Sequence, residues 1–138
     1  MLCINNDKLC DIKNEVKKSY PLECCGFLVG INTSEKKVVE VFPVQNKNIE
    51  RTHDRYEIDG KEFVNVDKEA AKKGLQIIGI YHSHPDHPAI PSAYDTQCAW
   101  GGYSYMIAAI EKGKKIEIRS WIYDEKKKQF EEEKINLS

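Results

Sequence analysis

Ile80-Tyr81-His82-Ser83-His84-Pro85-Asp86-His87-Pro88-Ala89-Ile90-Pro91-Ser92-Ala93-Tyr94-Asp95 is the stretch around which the rest of the chain is organised. It continues an apolar, β-branched run, Leu75-Gln76-Ile77-Ile78-Gly79-Ile80-Tyr81, whose length and composition predict a buried strand. Alternate residues of a strand share a face, so His82 and His84 project together and Ser83 turns the other way. Pro85 cannot donate to a sheet ladder and ends the strand. Pro88 and Pro91 stiffen the loop that follows. Ser92 is placed to start a helix, with Asp95 three residues on and on the same face.

Two imidazoles and one carboxylate converging on a point supply three protein ligands, which leaves a catalytic zinc one open position. Taken singly, each piece has an ordinary explanation: paired surface histidines, or a Ser-x-x-Asp helix cap. The strand, the proline stop and the stiff loop bring the pieces together, and together they favour the metal site.

His82-Ser83-His84-Pro85 followed by Ser92-Ala93-Tyr94-Asp95 resembles the JAMM motif of the MPN+ metalloproteases. That motif also has a glutamate far upstream, before a glycine-containing apolar strand. Glu23 in Pro21-Leu22-Glu23-Cys24-Cys25-Gly26-Phe27-Leu28-Val29-Gly30 matches it. The resemblance spans nearly the whole chain. Ala99-Trp100-Gly101-Gly102-Tyr103-Ser104-Tyr105 is further similar to the small stand-alone prokaryotic members, the sulfur-carrier-processing and desampylase-like branch.

The resemblance implies an MPN/JAMM fold, cytidine-deaminase-like: a curved mixed sheet flanked by helices, with the metal at one sheet edge. It implies one Zn2+ per chain on His82, His84 and Asp95. Coordination lowers the pKa of a bound water towards ~7. Glu23 is the family-matched carboxylate left over for proton transfer, and Ser92 is implied as the donor to the oxyanion. The implied activity is hydrolysis after the C-terminal glycine of a ubiquitin-like or sulfur-carrier protein ending in Gly-Gly. The alternative is a non-catalytic MPN scaffold that binds ubiquitin-like partners. Silent scaffolds lose the ligands, and this sequence keeps them. Amidohydrolase barrels need about 250 residues, and zinc deaminases need a Pro-Cys-x-x-Cys signature; this sequence has neither.

The 138 residues are read as a single domain, 1–138, long enough for a real core. A net charge of −1 gives no basic field for nucleic acid. No apolar run approaches the ~20 residues of a membrane span, and the first residues lack a signal-peptide core. A cytoplasmic protein is expected. Whether it is a monomer, a homodimer or part of a larger assembly is left open. The five cysteines form no zinc-ribbon spacing and are expected as free thiols. Cys24 and Cys25, adjacent on a strand, should place at most one side chain in the core. Cys98 is expected to serve helix packing, and His53 to face solvent.

In chain order, Asn5, Asn6 or Asp7 caps a first helix with the stripe Leu9, Ile12, Val16 and Tyr20. Strands are expected at Glu23 to Gly30 and Lys37 to Val44, joined as a hairpin, and a short one at Tyr56 to Ile58. A second helix from Asp59 or Gly60 to about Lys73 should turn Phe63, Val66, Ala70 and Ala71 inward, ending at Gly74. Beyond the motif, strands are predicted over Tyr103 to Ile110 and Lys115 to Tyr123, then a short strand or helix ending near Ile135. The pattern alone is α/β or α+β.

Overall fold

A computed structural model describes residues 1–138. Its elements are β1 (Leu2–Ile4), α1 (Asn6–Ser19), β2 (Cys25–Asn32), β3 (Lys36–Val44), α2 (Gly60–Lys72) and β4 (Gln76–Pro85). They continue with α3 (Ala93–Gln97), β5 (Ser104–Glu111), β6 (Lys115–Asp124), β7 (Gln129–Glu133) and β8 (Ile135–Leu137). All eight strands form one mixed sheet in the order β7-β6-β5-β4-β2-β3-β1-β8. β7 and β8 lie at opposite ends of that order, yet only Lys134 separates them in the chain. The sheet must therefore curl until its two ends meet at Lys134, whose C=O accepts from Leu2 N–H of β1 at 2.9 Å.

Each face of the curl has its own core. Leu9, Ile12 and Val16 of α1 pack on the concave side against Leu2, Ile4, Leu28, Val38, Ile78, Tyr81 and Met106, residues drawn from across the sheet. The stripe is the one the 3.6-residue spacing predicts, and Asn5 caps the helix by accepting from Lys8 N–H. On the other side Val66 and Ala70 of α2 pack on Phe27, Val29 and Ile77. Asp59 caps α2, and Gly74 leaves it with φ 71°, a conformation that glycine adopts without a Cβ penalty. Gly26 lets the Tyr81 ring cross β2: a Cβ there would meet that side chain at 2.4 Å and Phe42 C=O at 2.5 Å. The Tyr81 hydroxyl then reaches the Glu15 carboxylate of α1 and ties helix to sheet.

Several expectations are corrected. The second strand begins at Cys25, because Glu23 N–H turns aside to Thr52 C=O. Residues 56–58 form no strand, and Ala71 is exposed on α2. Leu2–Ile4 pairs in parallel with both β3 and β8, a non-local strand that its three residues do not announce. The tail is two strands. Cys24 and Cys25 are both buried, since helices cover both faces of the sheet. β4 carries the histidines and has β2 and β5 on either side, so they lie at the end of a central strand and not at a sheet edge.

Candidate active site

Register sets the site. In the antiparallel pairing of β2 with β4, Cys25 lies opposite His82. Ser83 N–H donates to Cys24 C=O, and Cys24 N–H donates back to Ser83 Oγ at 2.9 Å. The pairing thus runs on past the strand and sets Glu23 opposite His84. Directly opposed residues share a face, so Glu23, Cys25, His82 and His84 stand together on the α2 side. Ser83 points to the other face, as alternation predicts, and its buried hydroxyl holds the two segments in register.

The loop from Pro85 to Ser92 is fixed along its length. His84 Nδ1 bonds to Pro88 C=O at 2.7 Å. Trp121 Nε1–H of β6 donates to Ala89 C=O at 3.0 Å. Asp86 adopts φ 57° and is held by Lys112 N–H, by Tyr20 O–H and through its own N–H by Ile110 C=O. The loop ends in a capping box: Asp95 N–H donates to Ser92 Oγ at 3.0 Å, and Ser92 N–H to Asp95 Oδ2 at 2.9 Å. Asp95 is thereby aimed back at the histidines.

His82 Nε2 and His84 Nε2 lie 3.1 Å apart, and Asp95 Oδ2 is 3.3 and 3.1 Å from them. Pro88 C=O can only accept, so the His84 proton sits on Nδ1 and its Nε2 presents a bare lone pair. That lone pair faces a carboxylate oxygen, an arrangement that calls for a cation or a proton between them. Ligand atoms ~2.0–2.1 Å from a tetrahedral centre stand roughly 3.3–3.4 Å from one another. The three residues fit a JAMM zinc site in donor type, tautomer and spacing. His82 is packed against the Tyr56 ring at 4.3 Å, and its Nδ1 is buried without a partner. Burial pushes the His82 imidazole towards its neutral form, the form that ligates. Asp95 is held well below the usual carboxylate range: burial acts upward, and the hydrogen bond and charge of a protonated His82 ring, with the bond from Ser92 N–H, outweigh it in the metal-free cluster.

Glu23 is 4% exposed, and its backbone C=O accepts from Asn46 of the 46–55 loop. Burial, then the negative charges of Asp95 and Asp54, push its carboxyl up to about 9. The residue that the resemblance singles out is thus a desolvated acid on the face of the ligand cluster. Ser92 caps α3 with its lone pairs. His53 is largely solvent-facing beside Asp54 and stands outside the cluster, as expected. Cys98 caps the C-terminal end of α3 and is exposed, with no role in a buried helix contact.

Two features escape the sequence reading. One is a cavity of about 450 Å³ bordering Asp95 and walled chiefly by Tyr56, Phe63, Tyr94, Trp100, Tyr103 and Ile80. It is the part of the α2 face that α2 and α3 leave uncovered. Trp100, at 65% exposure, stands at its mouth. The aromatic density of 100–105 was the one available signal. The other is the placement of His87, a loop residue that the sequence sets near the ligands, for substrate or for support of the site, without committing to a role: its ring stacks on His84 at 4.2 Å and 8°.

Residues 10–123 match the family model described as prokaryotic homologs of the JAB domain. Two proteins named Desampylase are similar. That of Haloferax volcanii is 34% identical over 76% of this chain and 73% of its own length. That of Pyrococcus furiosus is 32% identical over 83% and 76%. A Thermus thermophilus protein named "Probable TtuB-protein conjugate cleaving protease" is 32% identical over 57% of this chain and 53% of its own. Among solved structures, a Desulfitobacterium hafniense protein superposes with TM-score 0.87 at 26% identity, covering 100% of this chain and 93% of that one. A JAB1/MPN domain protein of Archaeoglobus fulgidus gives 0.62 at 16% identity, over 99% and 98%, a likeness of fold.

Proposed function

Because the chain belongs to the family of prokaryotic homologues of the JAB domain, we propose that it is a zinc-dependent isopeptidase or peptidase. Its substrate on this reading is a ubiquitin-like or sulfur-carrier protein, cut after the C-terminal glycine. The protein is a JAMM-type hydrolase, and the scaffold alternative falls with that. The observation that carries the finer reading is the convergence of His82 Nε2, His84 Nε2 and Asp95 Oδ2 within 3.3 Å. A zinc held there would supply a Lewis acid and an activated water.

The chain's own residues do the rest. Glu23 takes a proton from the attacking water and passes it to the leaving amine. Its buried position suits a carboxyl whose pKa must sit near working pH once a cation offsets its desolvation. Ser92 keeps its hydroxyl proton free while its lone pairs cap α3, so it can donate to the oxyanion. The apolar cavity beside Asp95 excludes water from one flank and offers room for the substrate tail. Glycines at the cleavage point let the backbone approach where a Cβ would collide. The names of the relatives support the substrate class.

The test is a sulfur-carrier protein of the same organism, fused through its terminal Gly-Gly to a short peptide or to a lysine side chain. Cleavage after the second glycine, read by mass spectrometry and lost in His84→Ala together with zinc, is expected. Zinc-loaded protein that cuts unrelated peptides and neither fusion refutes the substrate.

A further inference from the structure

His87 stands in the loop directly after the two histidine ligands and has no part in the reading above. Its ring lies face to face on His84, and its Nε2 is buried with no hydrogen-bond partner although 34% of the side chain is exposed. A buried, unpartnered imidazole nitrogen is costly unless something answers it. The group in front of it is Glu23: Nε2 to Oε2 is 4.0 Å. A normal hydrogen bond would need about 1 Å less, so the pair stands just outside hydrogen-bond distance with no other group between them.

The backbone is built to put His87 there. Asp86 is one of three non-glycine residues with positive φ, a region that disfavours side chains. It is held in place by contacts from three elements: Tyr20 after α1, Ile110 of β5, and Lys112 in the β5–β6 turn. That turn reverses the chain after Pro85 and folds the next ring back over His84. Without it His87 would continue outward with the loop.

We propose that His87 is a positioning residue: its neutral ring donates Nε2–H to the Glu23 carboxylate and fixes the orientation in which Glu23 exchanges protons. Stacking on His84 sets the plane of the ring, and the Asp86 turn sets its direction. The inference rests on the assignment of Glu23 as the proton carrier.

Three variants separate the donor from the ring. His87→Phe keeps the stacked ring without the donor, and His87→Gln restores an amide donor without the ring. Glu23→Gln supplies the background for a double-mutant cycle. With a Gly-Gly fusion substrate, His87→Phe should lower kcat on the order of 10–100-fold with KM, zinc content and melting temperature unchanged. His87→Gln should recover much of that loss. In the Glu23→Gln background His87→Phe should cost nothing further. Independently of activity, long-range ¹H–¹⁵N spectra should report His87 as the Nε2–H tautomer, with its resonances shifted by Glu23→Gln.

Wild-type kcat in His87→Phe overturns the proposal, as does an equal loss in both backgrounds. Loss of zinc in His87→Phe would make the ring a support for the metal ligand instead, and also overturns it. A fully active Glu23→Gln would remove the assignment on which the proposal rests, and the proposal with it. An inactive Glu23→Gln beside an unaffected His87→Phe would leave that assignment standing and sink the positioning role alone.

Discussion

Replacing Glu23 with glutamine in zinc-free protein should stabilise the fold, increasingly so as pH rises. The carboxyl titrates near its ordinary 4.5 in the unfolded chain and at about 9 in the folded one, because burial and the charges of Asp95 and Asp54 oppose ionisation. A carboxyl with a raised folded pKa favours folding fully below the unfolded value. That contribution is lost as pH rises towards the folded value, because the folded state retains the proton that the unfolded state gives up. Between these two values the slope is about 1.4 kcal/mol per pH unit. From pH 5.5 to pH 8 the wild type should therefore lose about 3 kcal/mol relative to Glu23→Gln, an upper figure because water entry and rearrangement relieve some desolvation. Glutamine keeps the shape and cannot ionise. Urea denaturation of both proteins across that range in the presence of a chelator reads the difference directly. Zinc should shrink it, since a cation beside the carboxylate offsets the desolvation. Parallel stability curves for the two proteins would refute the argument, for they would mean a solvated, ionised Glu23 with no tuned pKa to bring to catalysis.

The same variant, zinc-loaded, should retain its metal and lose on the order of 10²–10⁴ in turnover of a Gly-Gly fusion; metal analysis beside single-turnover rates checks both halves. Ser92→Ala should cost on the order of 10²–10³ in turnover if the hydroxyl serves the oxyanion. A loss of roughly 0.5–2 kcal/mol in stability alone would instead assign it only to the cap. His84→Ala should bring zinc content close to zero, and stoichiometric zinc in that variant would disprove the site. Ser83→Ala strands the buried Cys24 N–H and should destabilise by about 1–3 kcal/mol. Its zinc content should stay unchanged at temperatures well below the new melting point, measured by metal analysis beside thermal unfolding.

The ligand cluster was legible in the sequence because it rests on local rules. Strand alternation puts His82 and His84 on one face, a proline stops the strand, and a capping box aims Asp95 back along its own helix. Each of these acts within a few residues, and the three together fix a point in space. Glu23 was different. Its position follows from the pairing of β2 with β4, a contact between segments about 60 residues apart, and only the family resemblance singled it out. The same limit hid β1 and β8, whose three-residue strands pair only across the fold; the sheet-edge position implied by the resemblance gives way to histidines at the end of a central strand. A doubly covered sheet also defeats the inference that alternation hides only one of Cys24 and Cys25.

His87 and the aromatic cavity lie further still from sequence-level rules. Nothing in Asp86-His87 marks a left-handed turn, since the turn is enforced by Tyr20, Ile110 and Lys112 from elsewhere in the fold. The cavity is defined by what is missing: α2 covers the lower part of its sheet face, α3 is only five residues long, and the gap between them is left to Tyr56, Tyr94, Trp100 and Tyr103. Both features bear on how a substrate tail would be held and how a proton would move. The cavity lies where residues 56–58, α3 and residues 100–103 close over the face of β2 and β4, and His87 stands in the loop beyond the C-terminal end of β4. The sheet fixes the two histidines, the 86–92 loop and the α3 capping box fix Asp95, and the cavity and His87 are set beside them by contacts that come from other parts of the fold.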